Sequence, residues 1–434
     1  MTVTVPLGRI FAAKNAPCCD VEVSVEVVLE WPFLQKIPQK CHPASMWVHR
    51  RVLLRLFMAR VAAVVSNGCA PDPRVLREAR WLVEAGHEVT VHAFDRLEAL
   101  AEREEIDGVS VVRHRVGYTP YGGTISTVRG LRRFRKSVVA ALASPSASAL
   151  ASPSASGVDL VHCHDADTLS VGLATSGAKV LFDMHDLHHT WVLMPNPRSL
   201  VRKMVASNFR GKMLARASKV DAVVTSSCGF QSWLAEQGIE SEVVENRPAK
   251  NEPLPPAERF TVGYLGRVRE VESFELLLDA LKLISDEARP HLIVAGDGTA
   301  APAVASMVRS AVSEGWLSAE VFGAFDDTKL AELMAEISVM YAMYPPARGN
   351  IQQGALPVKM FDAASFGRPS VVNSNCHMGE VCESELLGRA VPWGDSSALA
   401  SALVDLAGET VQLPRDSADE KERFLEVVGC LVRA

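Results

Sequence analysis

RVAAVVSNGCAPDPRVLREARWLVEAGHEVTVHAF, residues 60–94, decides the architecture. RVAAVVS (60–66) is an unbroken β-branched run of the kind buried on both faces of a parallel sheet. Asp72 is placed to cap a helix, and Pro73 suits its first turn. Val75, Ala79, Leu82 and Val83 then fall on one helical face, and Gly86 ends it. HEVTVHAF (87–94) is a second strand, and VSVVRHR (109–115) a third. Strand, helix and strand in this economy predict a doubly wound α/β sheet.

The alternation continues outward from there. GVDLVHCHD (157–165), KVLFDMHD (179–186) and KVDAVVTSS (219–227) read as strands with polar exits. Helices are expected over 198–217 and 229–237, and EVVENRP (242–248) as a short last strand. AKNEPLPPAE (249–258) breaks both periodicities and reads as an interdomain linker. Beyond it the pattern repeats. Strands are expected at 260–266, 290–296, 319–325, 337–343 and 369–374, and helices over 273–284, 299–313, 328–336, 357–366, 379–386, 396–407 and 417–432. The fold class predicted is therefore α/β, two doubly wound Rossmann-like domains facing a central cleft. Residues 58–248 form the first domain and 259–434 the second, with the last helix a candidate to pack back on the first.

Two stretches stand apart. Residues 1–57 have no clear period and read as an atypical N-terminal extension, whereas MARVAAVVSN from Met58 has the look of an ordinary protein start. Within 46–60, MWVHRRVLLRLFMAR has a basic amphipathic pattern, which leaves peripheral membrane contact as an alternative that is not favoured. ASPSASALASPSASG (143–157) is an imperfect tandem duplication expected to be a surface loop. RGLRRFRK (129–136) is locally basic, read as a solvated helix face with acceptor or lipid phosphate as the alternative.

Composition narrows the function. The chain has 434 residues, 45 basic against 51 acidic, and a net charge of -6. That disfavours a nucleic-acid partner. Nine cysteines without a CxxC pair predict reduced thiols and a cytoplasmic setting. Neither GxGxxG nor GxxxxGK[ST] occurs at a strand exit, so dinucleotide and P-loop chemistry are disfavoured.

The candidate residues lie at strand exits. In HCHD (162–165), His162 and His164 share one face, and His164 is placed to bond a sugar or phosphate oxygen with Asp165 orienting it. DMHDLHH (183–189) adds a second polar exit with His185 and Asp186. No metal site is expected, because the spacing matches no compact zinc motif. Gly68, in the first loop, reads either as a phosphate approach or as a plain turn. In YLGRVRE (264–270), Gly266 admits close backbone approach and Arg267 offers a fork suited to diphosphate. In LPVKMFDAASFGRPSVV (356–372), the helix start near Pro357 offers free N–H groups to phosphate. Lys359 adds charge there, and Asp362 can accept ribose hydroxyls. Glu380 reads equally as a helix-start residue or a donor contact, and GDGTA (296–300) as a turn near the donor.

Taken together, SNGCAPDPRVLREARWLVEAGHEVTV, VDLVHCHDADT, GYLGRVRE and LPVKMFDAASFGRPSVV resemble the retaining glycosyltransferases of the GT-B type, family 4 group, from Met58 to the end. The resemblance implies transfer of a sugar from a nucleoside diphosphate donor to a small-molecule acceptor, with retention. It carries the sugar-contacting histidine to His164, the phosphate-binding arginine to Arg267, and the donor lysine and ribose-contacting acid to Lys359 and Asp362. It implies no tightly bound cofactor. Three positions depart from the pattern. Asp362 replaces a glutamate, Gly354 stands where an earlier glutamate is usual, and Glu272 stands where a phosphate-binding lysine is usual, with Arg269 a nearby substitute. The departures keep two alternatives open, a nucleotide-sugar epimerase and a catalytically silent sugar-nucleotide binder. Oligomeric state is not legible.

Overall fold

The computed structural model describes residues 58–433 except 71, 121–123, 144–156 and 195. The N-terminal extension, with all but the last residues of the 46–60 segment, and most of the tandem duplication lie outside the described residues. Eight strands make the first sheet: β1 (Arg60–Val65), β2 (Glu88–Phe94), β3 (Arg103–Ile106), β4 (Val109–His114), β5 (Leu160–His164), β6 (Lys179–Met184), β7 (Ala222–Thr225) and β8 (Glu242–Val243). Six make the second: β9 (Thr261–Leu265), β10 (His291–Ala295), β11 (Ala319–Phe322), β12 (Val339–Ala342), β13 (Ser370–Asn373) and β14 (Gly388–Val391).

The spatial orders are β3-β4-β2-β1-β5-β6-β7-β8 and β11-β10-β9-β12-β13-β14. Every pairing is parallel except β3 with β4. Both sheets are thus doubly wound, and each reverses its strand order once, between β1 and β5 and between β9 and β12. Such reversals open a crevice outside the carboxyl ends of the strands.

The sequence signals work locally as read. The Asp72 carboxylate accepts from the amide of Val75 at 3.2 Å, and Pro73 opens the helix Pro73–Glu84. Gly86 has a φ of 88° just beyond that helix. Two edge strands escape the sequence reading. β3, REEI, has one apolar residue and is mostly exposed, and β14, GRAV, is four residues long with an exposed arginine. An edge strand needs only one neighbour's backbone, so it carries little apolar patterning.

The last helix, Ser417–Val432, belongs to the first core. Phe424, Val428 and Leu431 are buried among β1, β2 and helix residues of the first sheet, and the Phe424 ring lies 5.9 Å from Trp81. Arg247, at the exit from the first sheet, ties the halves together. Its guanidinium is fully buried, donates to both oxygens of Glu385 at 2.7 Å and to Glu245 at 2.6 Å, and lies 4.2 Å over the Phe361 ring. Removing one partner of a buried pair leaves an uncompensated charge, at about 3–5 kcal/mol. Arg247→Met is therefore expected to lower the denaturant midpoint by an amount matching that loss. An unchanged midpoint would mean the pair contributes nothing to the joint.

Candidate functional site

At the β5 and β6 exits the first half gathers a dense polar network. Asp183, fully buried, is its hub. One oxygen accepts from Arg74 Nε at 2.8 Å, His164 Nδ1 at 3.0 Å and His185 Nδ1 at 2.8 Å, while the other accepts from Arg74 Nη2 at 2.7 Å. Burial disfavours its charge, but Arg74 and His185 hold Asp183 well below the usual carboxylate range. Asp165 sits in the left-handed region, φ 63°, and is kept there by bonds from the Thr168 hydroxyl to the carbonyls of His164 and Asp165. Its carboxylate lies 3.2 Å from His185 Nε2 and 3.4 Å from His188 Nε2. Burial opposes both imidazolium charges. Asp165 and Asp183 nevertheless raise His185 to about 10, and Asp165 raises His188 to about 9.

His164, expected to bond a sugar or phosphate oxygen, lies beneath the surface of this exit. Its side chain is fully buried, and Nε2 has no protein partner. The half-exposed residues on this exit are Asp165, His185 and His188. Glu78, His162, His164 and Asp183 offer ligand atoms within 4.8 Å of one another, a convergence the sequence spacing does not reveal. The residues fit a cation poorly, because Arg74 lies 3.0 Å from Glu78 and 2.7 Å from Asp183 and supplies the positive charge itself.

The second half builds a cationic hollow at the β9–β12 reversal. Gly266 follows β9 with a φ of 121°, and a Cβ there would come within 3.1 Å of the Lys359 side chain. Gly296, in the GDGTA turn, lets that loop touch the Gly266 carbonyl, which a Cβ would meet at 1.8 Å. Lys359 lies in the first turn of the helix Val358–Ser365. Its ammonium donates to the Tyr264 hydroxyl at 3.1 Å and lies 4.2 Å over that ring, and Tyr264 in turn donates to the Arg267 carbonyl at 2.7 Å. Burial, and then the nearby Arg348 guanidinium, push Lys359 down to about 7, with Arg269 adding to the repulsion and Glu270 opposing it.

Arg348 was not singled out by the sequence reading. It follows β12, pairs with the buried Glu270 at 3.5 Å and lies 4.6 Å over the Tyr344 ring. The only sequence signal for it is position, since PPARGN comes directly after a strand that borders the sheet's order reversal. Arg269 lies 4.6 Å over the Trp191 ring, which belongs to the first half. Trp191 donates to Asp186 at 2.7 Å, and Asn350 of the second half approaches Asp186 at 3.4 Å. The two strand-exit clusters thus face each other across Trp191 and Asp186.

Asp362 is half-buried one turn after Lys359, and its charge partly offsets the lowering that burial imposes on Lys359 and, in the first half, on Arg77. Gly266, Arg269, Lys359 and Asp362 therefore converge, joined by Arg348 and Glu270. Three residues lie apart. Arg267 is 64% exposed and held by Asp297 at 3.0 Å. Glu380 is 78% exposed in a first helical turn, 3.4 Å from His377. Gly68 is knit into the first half, where its carbonyl accepts from Arg113 at 2.7 Å. Gly354 has a φ of 104°, and a Cβ there would lie 2.5 Å from the Gly229 backbone of the first half. A carboxylate-bearing side chain cannot stand at 354 while the halves meet this way. Glu272 is exposed at the start of the helix Glu272–Leu283, where the helix dipole favours an acid.

Residues 70–250 match the family described as a glycosyl transferase 4-like domain, and residues 259–409 match glycosyl transferases group 1. The chain belongs to this glycosyltransferase family. It is a nucleotide-sugar-dependent transferase of the GT-B fold. Similar solved structures include sucrose-phosphate synthase from Thermosynechococcus elongatus, at 16% identity and a TM-score of 0.63, covering 86% of this chain and 96% of that one. Anabaena HepE in complex with UDP-glucose aligns at 17% identity and a TM-score of 0.57 over 86% and 98%. The catalytic domain of Arabidopsis thaliana starch synthase IV, bound to ADP and acarbose, aligns at 12% and 0.58 over 87% and 100%. At these identities the likeness is one of fold. No curated protein matches the chain by sequence. Among the described residues no helix is long and apolar enough to cross a membrane.

The histidine pair gives a direct test of this first-half cluster. Raised values mean that the charges favour folding below about pH 6.5, the ordinary histidine range, and that this contribution is lost as pH climbs through 9 to 10. NMR titration is expected to find both rings charged at pH 8. Asp165→Asn should bring His188 back toward about 6.5, while His185, still bonded to Asp183, stays higher. Two rings titrating at the ordinary value in the unaltered protein would refute the network.

Proposed function

We propose that the enzyme binds the diphosphate of its sugar donor between Arg269, Arg348 and Lys359, over the first turn of the helix Val358–Ser365. One observation carries this. Arg269, Arg348 and Lys359 crowd a hollow in which burial, and then Arg348 and Arg269 against the weaker offset of Glu270 and Asp362, depress Lys359 to about 7. Such an arrangement lacks an anion, and a diphosphate at a helix start supplies it. Arg267 is solvated and already chelated by Asp297, so its part is secondary. Asp362 holds the ribose and Gly266 lets the phosphates approach the backbone, while Glu380, turned to solvent, and Gly68, bound to Arg113, are secondary.

The acceptor half is residues 58–248 with the last helix, and the donor half runs from residue 259 onward. Asp165, His185 and His188 meet the sugar and the acceptor, and His164 is a positioning group held by Asp183. Cations on the leaving diphosphate stabilise the charge that develops there. The partly exposed carboxylates here are engaged, Asp165 by His185 and His188 and Asp186 by Trp191 and Asn350, which weakens them as nucleophiles on the sugar. Departure and attack on one face, with retention, suit this site. The UDP-glucose complex of HepE supports a uridine or similar diphosphate donor, and the acceptor we assign is a small molecule. The donor is a substrate, and no resident cofactor is assigned.

A second reading is favoured by Gly354, whose contact with Gly229 removes a carboxylate from the donor site. It is a silent binder, and product analysis separates it from a transferase. The donor site itself is tested by calorimetry of nucleoside diphosphate binding at pH 8 in buffers of different ionisation enthalpy. Free Lys359 is mostly neutral there, and the diphosphate raises its pKa, so binding takes up about one proton and weakens as pH rises. Lys359→Met should abolish the uptake, and Lys359→Met or Arg348→Ala should each weaken affinity roughly 10- to 100-fold, the worth of a charged hydrogen bond. Binding without proton uptake, or unaffected by both changes, would place the diphosphate elsewhere.

A further inference from the structure

Two helices of the first half carry a surface that the transfer reaction does not use. Thr124–Ala143 contains Arg129, Arg132, Arg133, Arg135 and Lys136, and Leu200–Ala217 contains Arg202, Lys203, Arg210, Lys212 and Arg216. Neither helix contains an acidic residue, in a chain whose net charge is -6. Among the described residues, only Arg135 of these ten cations is in an ion pair, with Asp167 at 3.4 Å.

The same helices expose apolar side chains. Leu200 is 80% exposed, Met204 67% and Val128 66%, and Ile125, Val201 and Val205 are exposed as well. Leu200, Val201, Met204 and Val205 recur at i, i+1, i+4 and i+5 and so share one exposed side of the second helix. Val128 lines a cavity of about 240 Å³ between the helices, together with Leu131, Phe209 and Met213. Ile125 lies one turn before Val128 on that face, and Val201 and Val205 lie two turns and one turn before Phe209. The rim of the groove is thus apolar at the start of both helices and cationic further along. Its floor is Ala166 and Asp167, directly after Asp165 of the acceptor-side cluster.

An exposed apolar row flanked by unpaired cations has the chemistry of a surface that lies on an anionic bilayer, with side chains in the headgroup boundary and cations on the phosphates. We propose that this face docks the enzyme on anionic lipid membranes, with the acceptor-side cleft held next to the bilayer. The surface is separate from the donor hollow, so failure of this proposal leaves the donor reading standing.

Co-sedimentation of the full chain with vesicles tests it. Binding is expected to phosphatidylcholine vesicles containing 30% phosphatidylglycerol, about tenfold or more above pure phosphatidylcholine, and to fall in high salt. Combined Arg129→Glu, Arg132→Glu, Lys203→Glu and Lys212→Glu should lower it by about 600-fold, at roughly fivefold per cation. Leu200→Ser with Met204→Ser should lower it while leaving nucleoside diphosphate binding unchanged. No preference for anionic vesicles overturns the proposal. So does undiminished binding by the charge-reversed chain, which would assign it to residues 46–57, and so does binding to soluble heparin with indifference to the two serine changes, which would assign the face to a soluble polyanion.

Discussion

A half-buried ammonium with too little negative charge around it is the constraint on which the second half depends. Lys359 is held by Tyr264 against the loop after β9, with Arg348 arriving from the loop after β12 and Arg269 from the same loop as Gly266. The doubly wound order brings those two loops together, because β9 and β12 are neighbours at the point where the strand order reverses. Glycine at 266 and 296 is required so that the loops can pass each other and the lysine. The chain's overall acidity is then irrelevant to phosphate binding, since the positive charge is local and concentrated.

The acceptor half solves the opposite problem. There the carboxylates of Asp183 and Asp165 gather the cations. Asp183 orients Arg74, His164 and His185 through one buried group, and Asp165 holds His185 and His188 charged. In the proposed reaction the sugar lies between the diphosphate on one side and the charged imidazoles on the other. Trp191 joins the sides. It takes Arg269 on its ring while its own indole N–H is committed to Asp186. The Gly229–Gly354 contact sets how closely the halves meet, and it explains in steric terms why the earlier carboxylate of the family pattern is absent.

The sequence made the buried strands legible because runs such as RVAAVV and PHLIVAG have no polar interruption. β3 and β14 were not legible, because an edge strand with one covered face resembles a loop in composition. Lys359, Asp362 and Gly266 could be read from their places in strand–loop–helix units. Arg348 could not, since no local pattern distinguishes it from a surface arginine and its meaning comes from the adjacency of β9 and β12. The burial of His164 was likewise hidden. Alternation put it on a face with His162, but only the packed structure has Glu78 and Arg74 from the first helix on that face. Side-chain depth is a tertiary property, and a strand period of two does not report it.

The account's central claim is that the diphosphate neutralises the Arg269, Arg348 and Lys359 hollow. A crystal structure of the enzyme with a bound nucleoside diphosphate tests it most directly. The account predicts phosphate oxygens about 3 Å from the Lys359 ammonium and the Arg348 guanidinium, with the first-turn amides of the helix Val358–Ser365 donating to the same group. A diphosphate bound away from this hollow, with Lys359 still bonded to Tyr264 alone, would contradict it.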